Sequence, residues 1–233
     1  MARAWPALIV YLLSASSLLP ADFWHKKRFT EWTPDEIRKL LSDSPWARPV
    51  LLPVETIDRT SLEQVRSACS SCEVKSGGAP VMAAGMPELA GPLRALVRWH
   101  SALPVKQALM RAKFGDEVAT SREAAEFLAR SETAYVVGVS GLPAHLAPAE
   151  AAQLRANAFL RRKGRPLLPA VDAQVASGES SVYLLLFFPR SQDGSAAITP
   201  ADGQVELQLQ LGLLNLRRSF KLKDMVFEGK LEL

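Results

Sequence analysis

The chain is poor in the residues that build metal and redox centres: 233 residues hold two cysteines and three histidines. A zinc cage is excluded, because Cys69 and Cys72 have no second CxxC to join and His25, His100 and His145 stand isolated. A haem attachment is excluded as well, since Glu73 occupies the position that needs a histidine. No internal repeat, heptad array or low-complexity tract is present, so solenoids and coiled coils drop out. Strands and helices do not alternate regularly, which disfavours a Rossmann-type fold. Charge of one sign is also short: 28 basic against 24 acidic residues leave +4, too weak a balance to argue for nucleic acid. Finally, no uncharged run reaches the ~20 residues that cross a bilayer.

What is present is ordinary globular material: 48% apolar and 22% charged residues, enough to bury a core without metals or disulfides. The first 21 residues differ from the rest. Arg3 is their one charge, Ala7 to Leu13 is apolar, and Ser14, Ser16 and Ser17 lead to Pro20-Ala21. That order is a secretory signal peptide, cut after Ala21, with Ser17 as second choice because Leu19 is large for the −3 position. The serines interrupt any amphipathic face, and no cysteine lies near the cut to carry a lipid anchor. The expected localisation is secreted or periplasmic, with no membrane span after cleavage.

Residues 22–47 form an aromatic-rich segment with Phe23, Trp24, Phe29, Trp32 and Trp46. Thr33, Pro34 and Glu36 predict a capped helix start, with Ile37, Leu40 and Leu41 facing inward and an end before Pro45. Residues 48–233 are expected to form a single domain. Pro49 to Val54 reads as a strand and Thr60 to Cys69 as a short helix. Residues 75–91 read as an irregular loop, and Leu93 to His100 leans towards strand. Pro104 to Phe114 predicts a helix with Val105, Leu109 and Ala112 inward. Thr120 and Glu123 predict another capping box, with Ala124, Phe127 and Leu128 inward.

Ala134 to Val139 reads as a buried strand. A further helix is expected from Pro148, stopped by Gly164, with Arg161, Arg162 and Lys163 in its last turn. Val182 to Phe188 is expected to be the central strand. Val205, Leu207, Leu209 and Leu211 alternate with Glu206, Gln208 and Gln210, the period of a half-buried strand. Residues 212–215 read as a turn, and 216–222 and 227–233 as strands, with 223–226 a turn or a bulge. The fold class is therefore α+β. Helices lie mainly in the first two thirds, and a mixed to antiparallel sheet ends in a C-terminal β-meander.

Three segments, Ser44-Pro45-Trp46-Ala47, residues 99–105 (WHSALPV), and Phe220 to Met225 followed by Gly229 to Leu231, carry a resemblance. They are similar to segments shared by a group of uncharacterised exported bacterial proteins. The resemblance implies one exported domain and assigns no functional residue.

Cys69 and Cys72 are the candidate disulfide, in keeping with an oxidising compartment. A redox role is the alternative, but the pair follows a predicted helix, whose dipole opposes a thiolate. Gly138-Val139-Ser140-Gly141 approaches a nucleophile elbow, with Leu142 in place of the last glycine, and suggests a weak hydrolase reading with His100 or His145. Glu123 and Glu126 share a helix face and are read as cap and solvated residue. Two basic clusters, Arg155/Arg161/Arg162/Lys163/Arg165 and Arg217/Arg218/Lys221/Lys223, are read as a cation-friendly helix end and a strand edge. No catalytic, cofactor-binding or metal residue is assigned, and no cofactor is expected. The function expected is that of a non-enzymatic interaction or accessory module with an envelope protein partner; the oligomeric state stays open.

Overall fold

The computed structural model describes residues 23–52, 93–144, 150–177, 181–212 and 214–233. The leader, the predicted helix at 60–69, Cys69 and Cys72, the loop at 75–91 and His145 lie outside them.

The domain is α+β, and every strand pairing is antiparallel. The larger sheet contains β1 (Ala47–Leu52), β2 (Leu93–Trp99), β3 (Ala134–Pro143), β6 (Asp172–Ser177) and β7 (Ser181–Pro189), in the order β1-β2-β3-β7-β6. The second contains β4 (Ala158–Arg162), β5 (Leu168–Pro169), β10 (Gln204–Leu211) and β11 (Leu214–Lys221), in the order β11-β10-β4-β5. Two short hairpins, β8 (Ser191–Gln192) with β9 (Ser195–Ala196) and β12 (Val226–Phe227) with β13 (Lys230–Leu231), complete the strands.

Strand alternation builds the core. On β10, Val205, Leu207, Leu209 and Leu211 are buried, and on β7 Val182, Leu184, Leu186 and Phe188 are. The buried faces of both sheets belong to one apolar core, and Trp99 on β2 meets Phe220 on β11 edge-on at 5.8 Å. The aromatic N-terminal segment joins the same core: Trp24, Trp32 and Trp46 are all buried within it.

Helices α1 (Pro34–Ser42), α2 (Leu103–Phe114), α3 (Arg122–Ala129) and α4 (Ala151–Ala156) lie outside the sheets. The α1 start is as its sequence predicts. Glu36 N donates to Thr33 Oγ1 at 3.3 Å, and Thr33 N donates to Glu36 Oε2 at 2.9 Å. Among the described residues no helix is long and apolar enough to cross a membrane.

Several expectations are corrected. The helix expected up to Gly164 ends at Ala156, and residues 158–162 form β4. Ala158, Leu160 and Arg162 point inward on it, so period two wins over the helical pattern and β4 pairs with β10. The cap of α3 is Ser121, not Thr120: Ser121 Oγ accepts from Ala124 N, while Glu123 pairs with Lys113. On α2, Ala112 is exposed and Leu109 half-buried; Val105, Ala108 and Met110 carry the buried face. The central strand of the larger sheet is β3, and β7 lies beside it. Residues 222–224 form a 3-10 turn rather than a bulge. The β12–β13 hairpin turns through Glu228 and Gly229, both at positive φ (49° and 76°), as a tight two-residue hairpin requires.

Candidate functional site

The three segments singled out in the sequence meet at one place. Trp99 N donates to Trp46 O at 2.9 Å and the Trp99 ring lies edge-on to Phe220 at 5.8 Å; beside them Trp46 is edge-on to Phe227 at 6.3 Å and its Nε1 donates to Glu232 O at 2.8 Å. The tight turn at 44–47 is held from inside. Ser44 Oγ donates to Leu40 O at 2.6 Å and accepts from Trp46 N at 3.3 Å, which fixes the chain as it leaves α1. On the third segment Phe220, Leu222 and Met225 are buried, whereas Lys221, Lys223 and Asp224 remain exposed.

This arrangement leaves an open groove between the 44–48 turn and the closing strands. One part has a volume of about 530 Å³ and includes Trp24, Lys39, Asp43, Arg48, Lys223 and Asp224 on its wall. An adjoining part of about 200 Å³ shares Pro45, Arg48 and Asp224 with it and adds Arg218 and Lys221. Five cations therefore stand against two carboxylates, Asp43 and Asp224.

The carboxylates offset only part of this charge. Arg48 Nη1 reaches Asp43 at 3.0 Å. Burial pushes the Arg218 pKa below its ordinary value, the Arg48 guanidinium adds to that, and Asp43 opposes it. Arg218 stays charged regardless, because guanidinium does not give up its proton in proteins. Its Nε, like the Trp24 indole Nε1, is buried without an acceptor among the described residues. The groove thus carries excess positive charge, with two guanidinium groups and three ammonium groups, the chemistry of carboxylate or phosphate recognition.

A second polar cluster lies on the larger sheet. His100 Nε2 and Tyr183 Oη are 2.5 Å apart. Burial, aided by the nearby Arg98 charge, lowers the His100 pKa to about 4, so the imidazole is neutral at pH 7. Burial also raises the Tyr183 pKa, against the pull of Arg98, so the phenol keeps its proton and one hydrogen bond joins two neutral groups. Arg98 Nε is occupied with Leu41 O at 2.8 Å. Gly138 makes the pair possible: a Cβ there would lie 2.6 Å from the His100 ring and 2.8 Å from Tyr183 Oη.

The elbow geometry expected around Ser140 is not formed. Ser140 sits within β3, paired with Leu96, and strand rather than helix follows it. The Cys69/Cys72 pair and His145 fall outside the described residues. Glu126 bonds Arg122 on the exposed face of α3. Among the described residues no group of three His, Cys, Asp or Glu is placed to hold a metal ion.

Sequence reasoning missed two buried cations. Lys106 donates to Arg130 O at 2.8 Å and to Glu132 at 2.9 Å, with its ammonium 5.1 Å from the Phe127 ring centre. Arg162 is 1% exposed and donates to Ala197 O, to Pro166 O at 2.6 Å and to Gln192 at 3.0 Å. The inward phase of Arg162 with Ala158 and Leu160 was the signal that could have revealed it.

Fold and groove together define an α+β chain with an open groove lined mostly by cations. No protein-family model, curated protein or solved structure matches the chain.

Proposed function

We propose that the chain is an exported, non-enzymatic binding module whose groove holds an acidic segment of an envelope protein. The observation that carries this reading is the excess of five cations over two carboxylates along the groove wall. Ser44, on the groove wall, already uses its hydroxyl within its own turn, which leaves it a structural part. Export rests on the leader at 1–21, which supplies the compartment, and on the resemblance carried by the three converging segments. A Cys69–Cys72 disulfide is part of the same proposal.

The test is affinity purification of the exported protein from an envelope extract, beside a Lys221→Glu, Lys223→Glu variant. Both residues are exposed, so the variant keeps the core intact. A salt-sensitive partner should co-purify with the parent chain and bind the variant at least about tenfold more weakly. Repeated isolation as a lone monomer, or equal capture by both chains, would overturn the reading.

A further inference from the structure

The outward face of the β11-β10-β4-β5 sheet carries an apolar strip with a cationic rim. Register sets Arg217, Gln208, Phe159 and Pro169 side by side across the four strands. From 167 to 171 burial alternates: Leu168 and Ala170 point inward, while Leu167, Pro169 and Val171 are exposed. Leu167 and Val171, two positions either side of Pro169, are 45% and 51% exposed.

Cations surround this strip. Arg161, Lys163 and Arg165 border a cleft of about 810 Å³ that Leu167 also lines, and Arg217 sits in the strip's own row. Two carboxylates accompany them, and both are largely engaged. Asp202 accepts from Thr199 N at 2.7 Å and from Arg165 at 3.2 Å. Glu206 accepts from Gln208 at 2.7 Å and from Ser219 at 3.1 Å, with Arg161 at 3.8 Å. The turn is not slack: Arg162 lies buried beneath it and ties Pro166 O to Ala197 O and Gln192. The structure therefore presents exposed aliphatic groups on a fixed support, with four cations against two carboxylates around them.

We infer that this face docks on an anionic lipid surface, with Leu167, Pro169 and Val171 in the interfacial zone and Arg161, Lys163, Arg165 and Arg217 on lipid phosphates. The strip is shallow, which suits partial entry among headgroups. Laterally mobile phosphates can meet four dispersed cations without a matching register, which a folded acidic partner would have to supply. Only the Arg218 side of the groove lies on the other face of this sheet, since Lys221 alternates in phase with Arg217. Arg217 and Arg218 are adjacent on β11 and so point to opposite faces of the sheet.

Vesicle co-sedimentation tests this, using the exported protein with phosphatidylglycerol-containing vesicles and with pure phosphatidylcholine vesicles. Two variants accompany it, each checked for native circular dichroism: Arg161→Gln, Lys163→Gln, Arg217→Gln, and Leu167→Ser, Val171→Ser. Binding should occur on the anionic vesicles, fall with added salt and be absent on the neutral ones. Each lost cation should weaken it about fivefold, so the triple variant should bind roughly 100-fold less tightly. The serine variant should also lose affinity. No binding by the parent chain overturns the inference. So does equal binding by all three chains, which share one N-terminus and would then be held by that instead. If sedimentation velocity shows a dimer that the serine variant dissolves, a second copy covers the strip and the lipid assignment fails.

Discussion

The Trp46 indole donates to the backbone oxygen of Glu232 at 2.8 Å, tying the turn after α1 to the last residues of the chain. Arg190 holds the neighbouring Leu233 O at 2.9 Å, and Leu233 itself is buried. The groove wall is thus braced by a contact between the two ends of the described chain. Trp46→Phe removes the donor and part of a fully buried ring, so it should destabilise the fold by about 2 kcal/mol. Urea unfolding reads this as a lower midpoint with an unchanged slope. A loss under about 0.5 kcal/mol would mean the brace carries little.

Gly138 leaves room for the His100–Tyr183 pair, so its replacement should clash. Gly138→Ala should cost about 2 kcal/mol through forced displacement of the two rings. Adding His100→Ala removes the nearest atoms, and the double variant should be more stable than the sum of the single effects. Simple additivity would place the strain elsewhere.

The lowered His100 pKa makes a pH prediction. In the unfolded chain the imidazole takes a proton near 6.5, whereas in the folded chain it resists down to about 4. Between these values the unfolded state binds more protons, so stability falls as pH drops through that window and is level above it for this group. Glu36, Asp202 and Glu206 also have lowered pKa values, but from ordinary values of 4.5, 3.8 and 4.5, so their loss comes at more acid pH. Chemical denaturation between about pH 5 and 7 isolates the histidine. His100→Gln keeps a partner for Tyr183 and should flatten the slope there; an unchanged slope would refute the assignment.

At the start of α3, Ser121→Ala should cost about 1 kcal/mol, because it frees Ala124 N. Thr120→Ala removes an exposed hydroxyl that bonds Glu117 O and should cost less than about 0.5 kcal/mol. The reverse order would restore the capping box read from sequence.

The parts legible in the sequence were those governed by local rules. The Thr33/Glu36 box and the alternation of Val205 to Leu211 depend on near neighbours, and both stand in the structure. The strand Ala158–Arg162 was illegible because a helical reading also fitted Leu154, Ala158 and Phe159, and pairing with β10 decided between them. Lys106 carries no signal of its own in the sequence, and the reading of Arg162 as a helix-end cation fails because long side chains can be buried when carbonyls await their tips. The groove was invisible for a different reason. Arg48 and Arg218 belong to β1 and β11, far apart in the chain, and only the packing of the sheets sets them together.

Photo-crosslinking inside the intact envelope tests the binding account most directly, with the probe at Lys223 on the groove and, separately, at the exposed Glu126 on α3. The account predicts one discrete protein adduct from position 223, lost when Lys221 is changed to Glu and not formed from position 126. No adduct at 223, or the same adduct from both positions, would contradict it.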